Sequence, residues 1–104
     1  MNALLTKALN AITARTNLAT GLTHFNDKHA AQEMFFRLHQ ANVTLRSEEI
    51  EGWAVVNDWE PGDARDLGLL AGAIGRGRKP RIKSGPWWPD DVLTRLAAAA
   101  SSNA

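Results

Sequence analysis

Apolar residues recur at spacings of three and four in successive stretches of this chain, and Gly, Pro or Asn residues separate the stretches. This is the period of an α-helix that buries one face. No stretch of useful length alternates apolar and polar residues, as a half-buried strand would. The sequence therefore predicts an all-α fold, a compact single-domain bundle of about five short helices over residues 1–96. The low-complexity tail, residues 97–104, is expected to fray.

Residues with known preferences for helix ends mark the boundaries. Asn26 or Asp27 and Ser47 can accept hydrogen bonds from the free amides of a first turn. Pro61 and Pro89 suit the first helical position, because proline has no amide to lose there. The five helices are therefore predicted at about 2–19, after 26 or 27, at about 47–57, from 61 to 75 or 77, and from 89 onwards. A basic loop, for which an extended conformation is one alternative, is predicted before the last helix.

The same spacing predicts which side chains face the core, and Glu33 with Arg37 is expected to form a surface ion pair one turn apart. The predicted core residues are Leu5, Ala8, Leu9, Ile12, Ala19, Ala31, Met34, Phe35, Leu38, Ile50, Trp53, Ala54, Ala64, Leu67, Leu70, Ala71, Ile74, Val92, Leu93 and Leu96. The fourth helix also holds Gly68, Gly72 and Gly75, each costing about 1 kcal/mol relative to alanine. We expect a neighbouring helix or a tryptophan ring to approach these glycines closely.

Charge is distributed unevenly along the chain, although the net charge is only +1. Residues 48–66 contain seven acidic residues and one basic one, whereas 76–83 contains five basic residues and no acid. Two adjacent tryptophans follow. The candidate binding residues in this segment are Arg76, Arg78, Lys79, Arg81, Lys83, Trp87 and Trp88. This asymmetry indicates a site for a polyanion or a surface for a protein partner.

Enzyme chemistry finds little support in the residue types present. The chain has no cysteine, which excludes disulfides, thiolate metal sites and cysteine nucleophiles. His29 and Glu33 share a helix face, but His24 and His39 do not complete a convergent ligand set with them. The expectation is a binding protein that is not an enzyme and uses no metal and no cofactor.

Two binding hypotheses remain open. Nucleic-acid association is the first, because five clustered cations can neutralise phosphates and Trp87 or Trp88 can stack on unpaired bases. The stretch RGRKPR, residues 76–81, resembles the minor-groove AT-hook, although Lys79 interrupts its core. A helix-turn-helix reader is not expected, because acidic side chains on the fourth helix would meet phosphates. The second hypothesis is a regulatory or interaction module that binds an acidic protein partner or a second copy of itself. A purely structural, solvated connector is the remaining alternative.

The expected location is the cytoplasm, since the absence of cysteine fits a reducing compartment. No apolar run approaches the length of a membrane span, so no membrane contact is expected. The first 26 residues contain no acid, which is loosely the composition of an organelle transit peptide. The helical apolar stripe within them favours a first amphipathic helix instead.

Four stretches taken in order resemble a family of small, uncharacterised, all-helical bacterial proteins of about 100 residues. They are MNALLTKALNAI, AAQEMFFRL, EEIEGWAVVNDWEPG and IKSGPWWP, within residues 1–96. The resemblance implies a compact helical domain in a bacterial cytoplasm and carries over no activity and no site residue. The basic run and the paired tryptophans depart from the family pattern.

Overall fold

The computed structural model describes residues 1–12, 19–24 and 28–78, together with Thr94 and Ala98. These residues form four α-helices. The helices are α1 (Ala3–Ile12), α2 (Lys28–Gln40), α3 (Ser47–Val56) and α4 (Pro61–Gly75). The all-helical prediction is confirmed, but the described residues hold four helices rather than about five. The helix predicted from Pro89 lies outside them, except for Thr94, which is helical.

Two predicted helix ends need correction. Ala19 lies in an exposed turn, so a first helix extending to residue 19 is too long. Ser47 was predicted as the N-cap of α3, but it is the first helical residue and Arg46 occupies the cap without a side-chain hydrogen bond. Ser47 is instead part of the contact with α4, where a Cβ on Gly72 would lie 3.1 Å from its own Cβ.

The start of α4 follows the prediction and adds a cap. Pro61 is its first residue, and the carboxylate of Glu60 accepts hydrogen bonds from the amides of Gly62 at 3.1 Å and Asp63 at 3.0 Å. These are two of the amides that a helix leaves without an internal partner. Glu60 therefore both ends the preceding turn and fixes the direction in which α4 leaves it.

The core lies where α4 packs against α3 and α2, with α1 packed on α2. Its largest fully buried side chains are Phe35, Leu5, Leu9, Met34, Leu38, Ile50, Leu67 and Ile74. Each such side chain contributes about 1.5 to 3 kcal/mol through removal of apolar surface from water. Trp59 is also buried and meets Trp53 edge-on, with ring centroids 6.5 Å apart. Most of the predicted inward face is thus confirmed.

The contact between α3 and α4 is close because α4 presents glycines there. A Cβ on Gly68 would lie 2.6 Å from the carbonyl oxygen of Ser47, and one on Gly75 would lie 2.8 Å from that of Leu45. Real Cβ atoms do not approach backbone oxygens so closely. The expected compensation for the glycines is therefore confirmed, and the neighbour is the chain that leads into and begins α3.

The ion pair predicted on α2 forms, but one partner is buried. Arg37 donates to Oε1 of Glu33 from Nη2 at 2.8 Å and from Nε at 3.1 Å. Glu33 is only 7% exposed, so its placement on the surface was wrong. Ala30, one turn before it, is buried as well. The two residues together widen the buried face of α2 beyond the stripe that the spacing predicts.

Candidate binding groove between α2 and α4

The basic segment begins where α4 ends, and its first two cations have a defined backbone. The Arg76 amide donates to the Gly72 carbonyl at 3.1 Å, and the Arg78 amide donates to the Ala73 carbonyl at 3.1 Å. Gly77 between them has φ +99°, a conformation that side chains rarely allow. Both arginines are exposed. The helix end therefore holds the two side chains close to the last turn of α4.

The other predicted binding residues cannot be placed in the same way. Lys79, Arg81, Lys83, Trp87 and Trp88 lie outside the described residues. The structure therefore locates two of the seven candidates and shows what lies next to them.

Arg78 lines a groove of about 320 Å³ that runs between α2 and α4. Lys28 and Gln32 of α2 contribute to one side of it. The α4 side and the residue beyond its end contribute Asp66, Leu69, Leu70, Ala73, Ile74 and Arg78. The groove thus brings the basic segment next to a cation from a different helix.

The groove combines an apolar lining with charged side chains. Leu70 is half-buried and Ile74 is buried, whereas Leu69 is 52% exposed. Lys28 lies beside Asp66 in the first half of α4, with 3.9 Å between Nζ and Oδ2. Arg78 lies beyond the end of that helix. The groove therefore has a cation near each end and an accessible leucine between them.

Sequence reasoning missed Lys28 and Leu69 as site residues. A signal for Leu69 was present, because it falls outside the stripe of core positions predicted for α4 and is nevertheless a large apolar residue. Lys28 had no comparable signal, since nothing in the sequence brings the start of α2 to the middle of α4.

A second cluster of chemically active side chains lies at the start of α4. One potential metal-ligand atom from each of His24, Glu60 and Asp63 lies within 4.8 Å of the others, and His24 Nδ1 is 3.0 Å from Asp63 Oδ2. Backbone pairing brings them together. The Thr23 amide donates to Asp58 O at 2.8 Å, and the Glu60 amide donates to Thr23 O at 2.9 Å.

This cluster differs from the candidate metal-ligand set of His29 and Glu33, with His24 and His39, that the sequence suggests. Its side chains already form contacts that stabilise the fold, because Glu60 caps α4 and Asp63 contacts His24. The positive end of the α4 dipole also opposes a bound cation at this position. We therefore interpret the cluster as a tie between the loop 19–24 and α4.

The groove and the helices around it define a small all-helical protein with an open, partly basic surface. Residues 1–97 match the model of a domain of unknown function, DUF1889, and the chain belongs to that family. The match agrees with the resemblance to a small family without an assigned activity. No curated protein and no solved structure matches the chain. Among the described residues, no helix is long and apolar enough to cross a membrane.

Proposed function

We propose that this chain is a non-catalytic binding protein whose α2–α4 groove receives a protein segment bearing acidic and apolar side chains. The observation that carries the proposal is the exposure of Leu69 in a groove with Lys28 near one end and Arg78 near the other. A cytoplasmic setting belongs to the same proposal, and cell fractionation would test it.

Leu69 provides the apolar part of the argument. A leucine that goes from open to fully covered contributes about 1.5 to 3 kcal/mol to binding, and this side chain is already about half covered. Leu70 and Ala73 beside it extend the apolar surface. A partner that covers Leu69 with its own apolar side chain would therefore gain affinity that a purely ionic ligand cannot.

The charged side chains favour carboxylates over phosphates as the ligand groups. Lys28 and Arg78 attract either anion, but Asp66 lies within the same groove and repels both. A peptide can place one carboxylate beside each cation and an apolar or polar side chain beside Asp66. A nucleic-acid backbone carries phosphates at fixed intervals and gains nothing from the apolar lining. The groove therefore favours a protein ligand.

Nucleic-acid association is the second candidate, and the basic segment itself favours it. Arg76 and Arg78 are exposed, and neither forms an ion pair with another residue in the described ranges. Their charges are therefore available to phosphates, and the sequence adds Lys79, Arg81 and Lys83 to the same basic run. Under this candidate Trp87 and Trp88 stack on bases, as aromatic residues do in single-strand binders.

Fluorescence anisotropy with matched ligands separates the two candidates. The protein ligands are a short labelled helical peptide of Glu, Ala and Leu, the same peptide with Lys for Glu, and the same peptide with Ser for Leu. The nucleic acids are AT-rich duplex, GC-rich duplex and single-stranded DNA, each titrated at low and near-physiological salt. The informative variants are Leu69→Ser and the pair Arg76→Gln with Arg78→Gln. Arg46→Gln is the charge control, because Arg46 is exposed at the start of α3.

We expect the Glu-Leu peptide to bind and both altered peptides to bind at least about tenfold more weakly, a difference of about 1.4 kcal/mol. Leu69→Ser should weaken binding of the Glu-Leu peptide by a similar factor and leave the affinity for DNA unchanged. Equal affinity for the Glu-Leu and Glu-Ser peptides would overturn the groove proposal. Tight DNA binding that is lost only in the arginine pair would assign the surface to nucleic acid instead.

A further inference from the structure

We infer that the partner of the groove is the exposed face of α3 on a second copy of the chain, so that the protein self-associates head to tail. The inference rests on the proposed function of the groove and names its partner. Its basis is a second surface, on α3, whose acidic and apolar side chains complement the cations and the exposed leucine of the groove.

The exposed face of α3 carries acidic and apolar side chains at helical spacing. It consists of Glu48, Glu49, Gly52, Val55 and Val56, all exposed. Val56 is 81% exposed and Val55 is 55% exposed. Because Gly52 lies three or four residues from each of the other four positions, the five residues form one continuous stripe. This stripe is an apolar surface with acidic residues at one end.

Gly52 lies in the middle of the stripe and has no packing role within the described chain. A Cβ placed on it would meet nothing within 4 Å, unlike one placed on Gly68. Glycine destabilises a helix interior relative to alanine, and no contact with the described residues offsets that cost at Gly52. The missing side chain leaves a shallow space beside Val55 and Val56. A protruding leucine such as Leu69 of another copy would fit that space.

Charge determines which surface of the second copy is favoured. Two α3 faces placed parallel would bring Glu48 and Glu49 of both copies together, which repels them, and two placed antiparallel would leave these carboxylates without a cation. The groove offers Lys28 and Arg78 instead. The acidic end of the α3 face can lie beside one of these cations while Val55 and Val56 cover the apolar lining. Opposite charges at such a contact promote encounter and fix register at protein interfaces.

The two surfaces belong to different parts of one molecule, so each copy presents both. Contact between unlike surfaces is heterologous, and it builds rings or open chains rather than a pair limited to two copies. Blocking either surface should therefore stop growth. Mixing the two blocked forms should restore association, because each form retains the surface that the other has lost.

Sedimentation velocity over a range of concentrations tests this inference. Leu69→Glu blocks the groove with a negative charge, which repels the acidic residues of the α3 face. Val56→Lys blocks the α3 face with a positive charge, which repels the cations of the groove. Gln40→Glu and Gln40→Lys introduce the same charges at an exposed position at the end of α2 and serve as controls. Circular dichroism verifies that each variant remains helical.

We expect wild type and both controls to associate as concentration rises, and each blocked variant to associate at least about tenfold more weakly. An equimolar mixture of the two blocked variants should associate more strongly than either variant alone. Gly52→Leu separates an effect on the interface from an effect on the fold. Leucine is a better helix former than glycine, yet it occupies the space in which we place Leu69 of the other copy. That variant should unfold at a higher temperature and still associate more weakly.

Three outcomes would overturn the inference: wild type that stays monomeric to about 1 mM, association that survives either block, or a mixture that associates no more strongly than either variant alone. None of them decides the proposed function, which the peptide titration tests at concentrations below self-association. A monomeric wild type that binds the Glu-Leu peptide would keep the groove as a binding site and assign it a different protein partner. A wild type that neither self-associates nor binds the Glu-Leu peptide would overturn both proposals.

Discussion

Two sides of the same helix, α4, meet their surroundings in opposite ways. On one side Gly68, Gly72 and Gly75 let α3 and the chain before it approach so closely that the neighbouring atoms occupy the space that a Cβ methyl group would need. On the other side Leu69 remains half-exposed over a groove that α2 does not fill. Residues of the two sides alternate along the sequence, so neither composition nor propensity of the segment distinguishes them.

The contrast separates the side of α4 that stabilises the fold from the side that we propose binds a partner. The glycine side has no room for an added atom, and close-packed interiors respond to even one methylene. The groove side has open volume and side chains that contact solvent, so substitutions there should disturb folding less. If this separation is real, neighbouring positions in α4 should respond very differently to the same substitution.

The largest difference should appear between two leucines that are two residues apart. Leu67 is fully buried, and Leu67→Ala should lower the free energy of unfolding by about 3 kcal/mol because it leaves a cavity. Leu69→Ala should change it by less than about 0.5 kcal/mol. Urea unfolding followed by circular dichroism measures both. Similar losses for the two variants would mean that the groove side is part of the core.

Alanine substitution of two glycines should give effects of opposite sign. Gly68→Ala places a Cβ 2.6 Å from a backbone oxygen, and the overpacking should outweigh the gain in helix propensity by about 1 to 2 kcal/mol. Gly52→Ala meets no atom and should stabilise the protein by up to about 1 kcal/mol. The two unfolding midpoints, read from the same urea titration, should therefore move in opposite directions.

The sign of the Gly68 effect is the decisive part. Stabilisation by Gly68→Ala would show that α3 can move away from α4 at little cost. The contrast between the two sides of α4 would then be one of degree only.

Most of the fold was predictable, because helices with one buried face carry their own period. The spacing around Phe35 and Leu67 predicts both helices and their inward sides, and Pro61 with Gly75 marks the limits of α4. The N-cap of α3 was not predictable in the same way. Ser47 has the right chemistry for a cap, but it is the first helical residue of α3 and lies against Gly72 of α4.

The candidate site was predictable only where it is continuous in sequence. Arg76 and Arg78 were identified because the basic residues are adjacent along the chain. The groove between Lys28 and Leu69 depends on how α2 lies across α4, and no local pattern encodes that packing. The same reason explains the missed contact of His24 with Asp63, which joins residues 39 positions apart.

A smaller effect is expected at the start of α4, where both sides of the helix begin. Glu60→Ala removes the carboxylate that accepts from two free amides, and it should cost about 1 kcal/mol of stability. Glu60→Asp shortens the acceptor but keeps its charge, so comparison of the two variants by thermal unfolding separates capping geometry from charge. An unchanged midpoint in Glu60→Ala would mean that water replaces the cap without loss.

The smallest effect should come from the charged edge of the groove. Lys28 and Asp66 are both more than half-exposed, and 3.9 Å separates their charged atoms. Exposed ion pairs of this kind contribute about 0.5 kcal/mol or less, because solvent screens the attraction. A double-mutant cycle of Lys28→Gln and Asp66→Asn, measured by urea unfolding, gives the coupling energy directly. Coupling above about 1 kcal/mol would show that the edge of the groove helps to hold α2 on α4. Weak coupling, combined with loss of peptide binding in Lys28→Gln, would place this lysine on the recognition side of the helix pair and make the contrast between the two sides of α4 sharper.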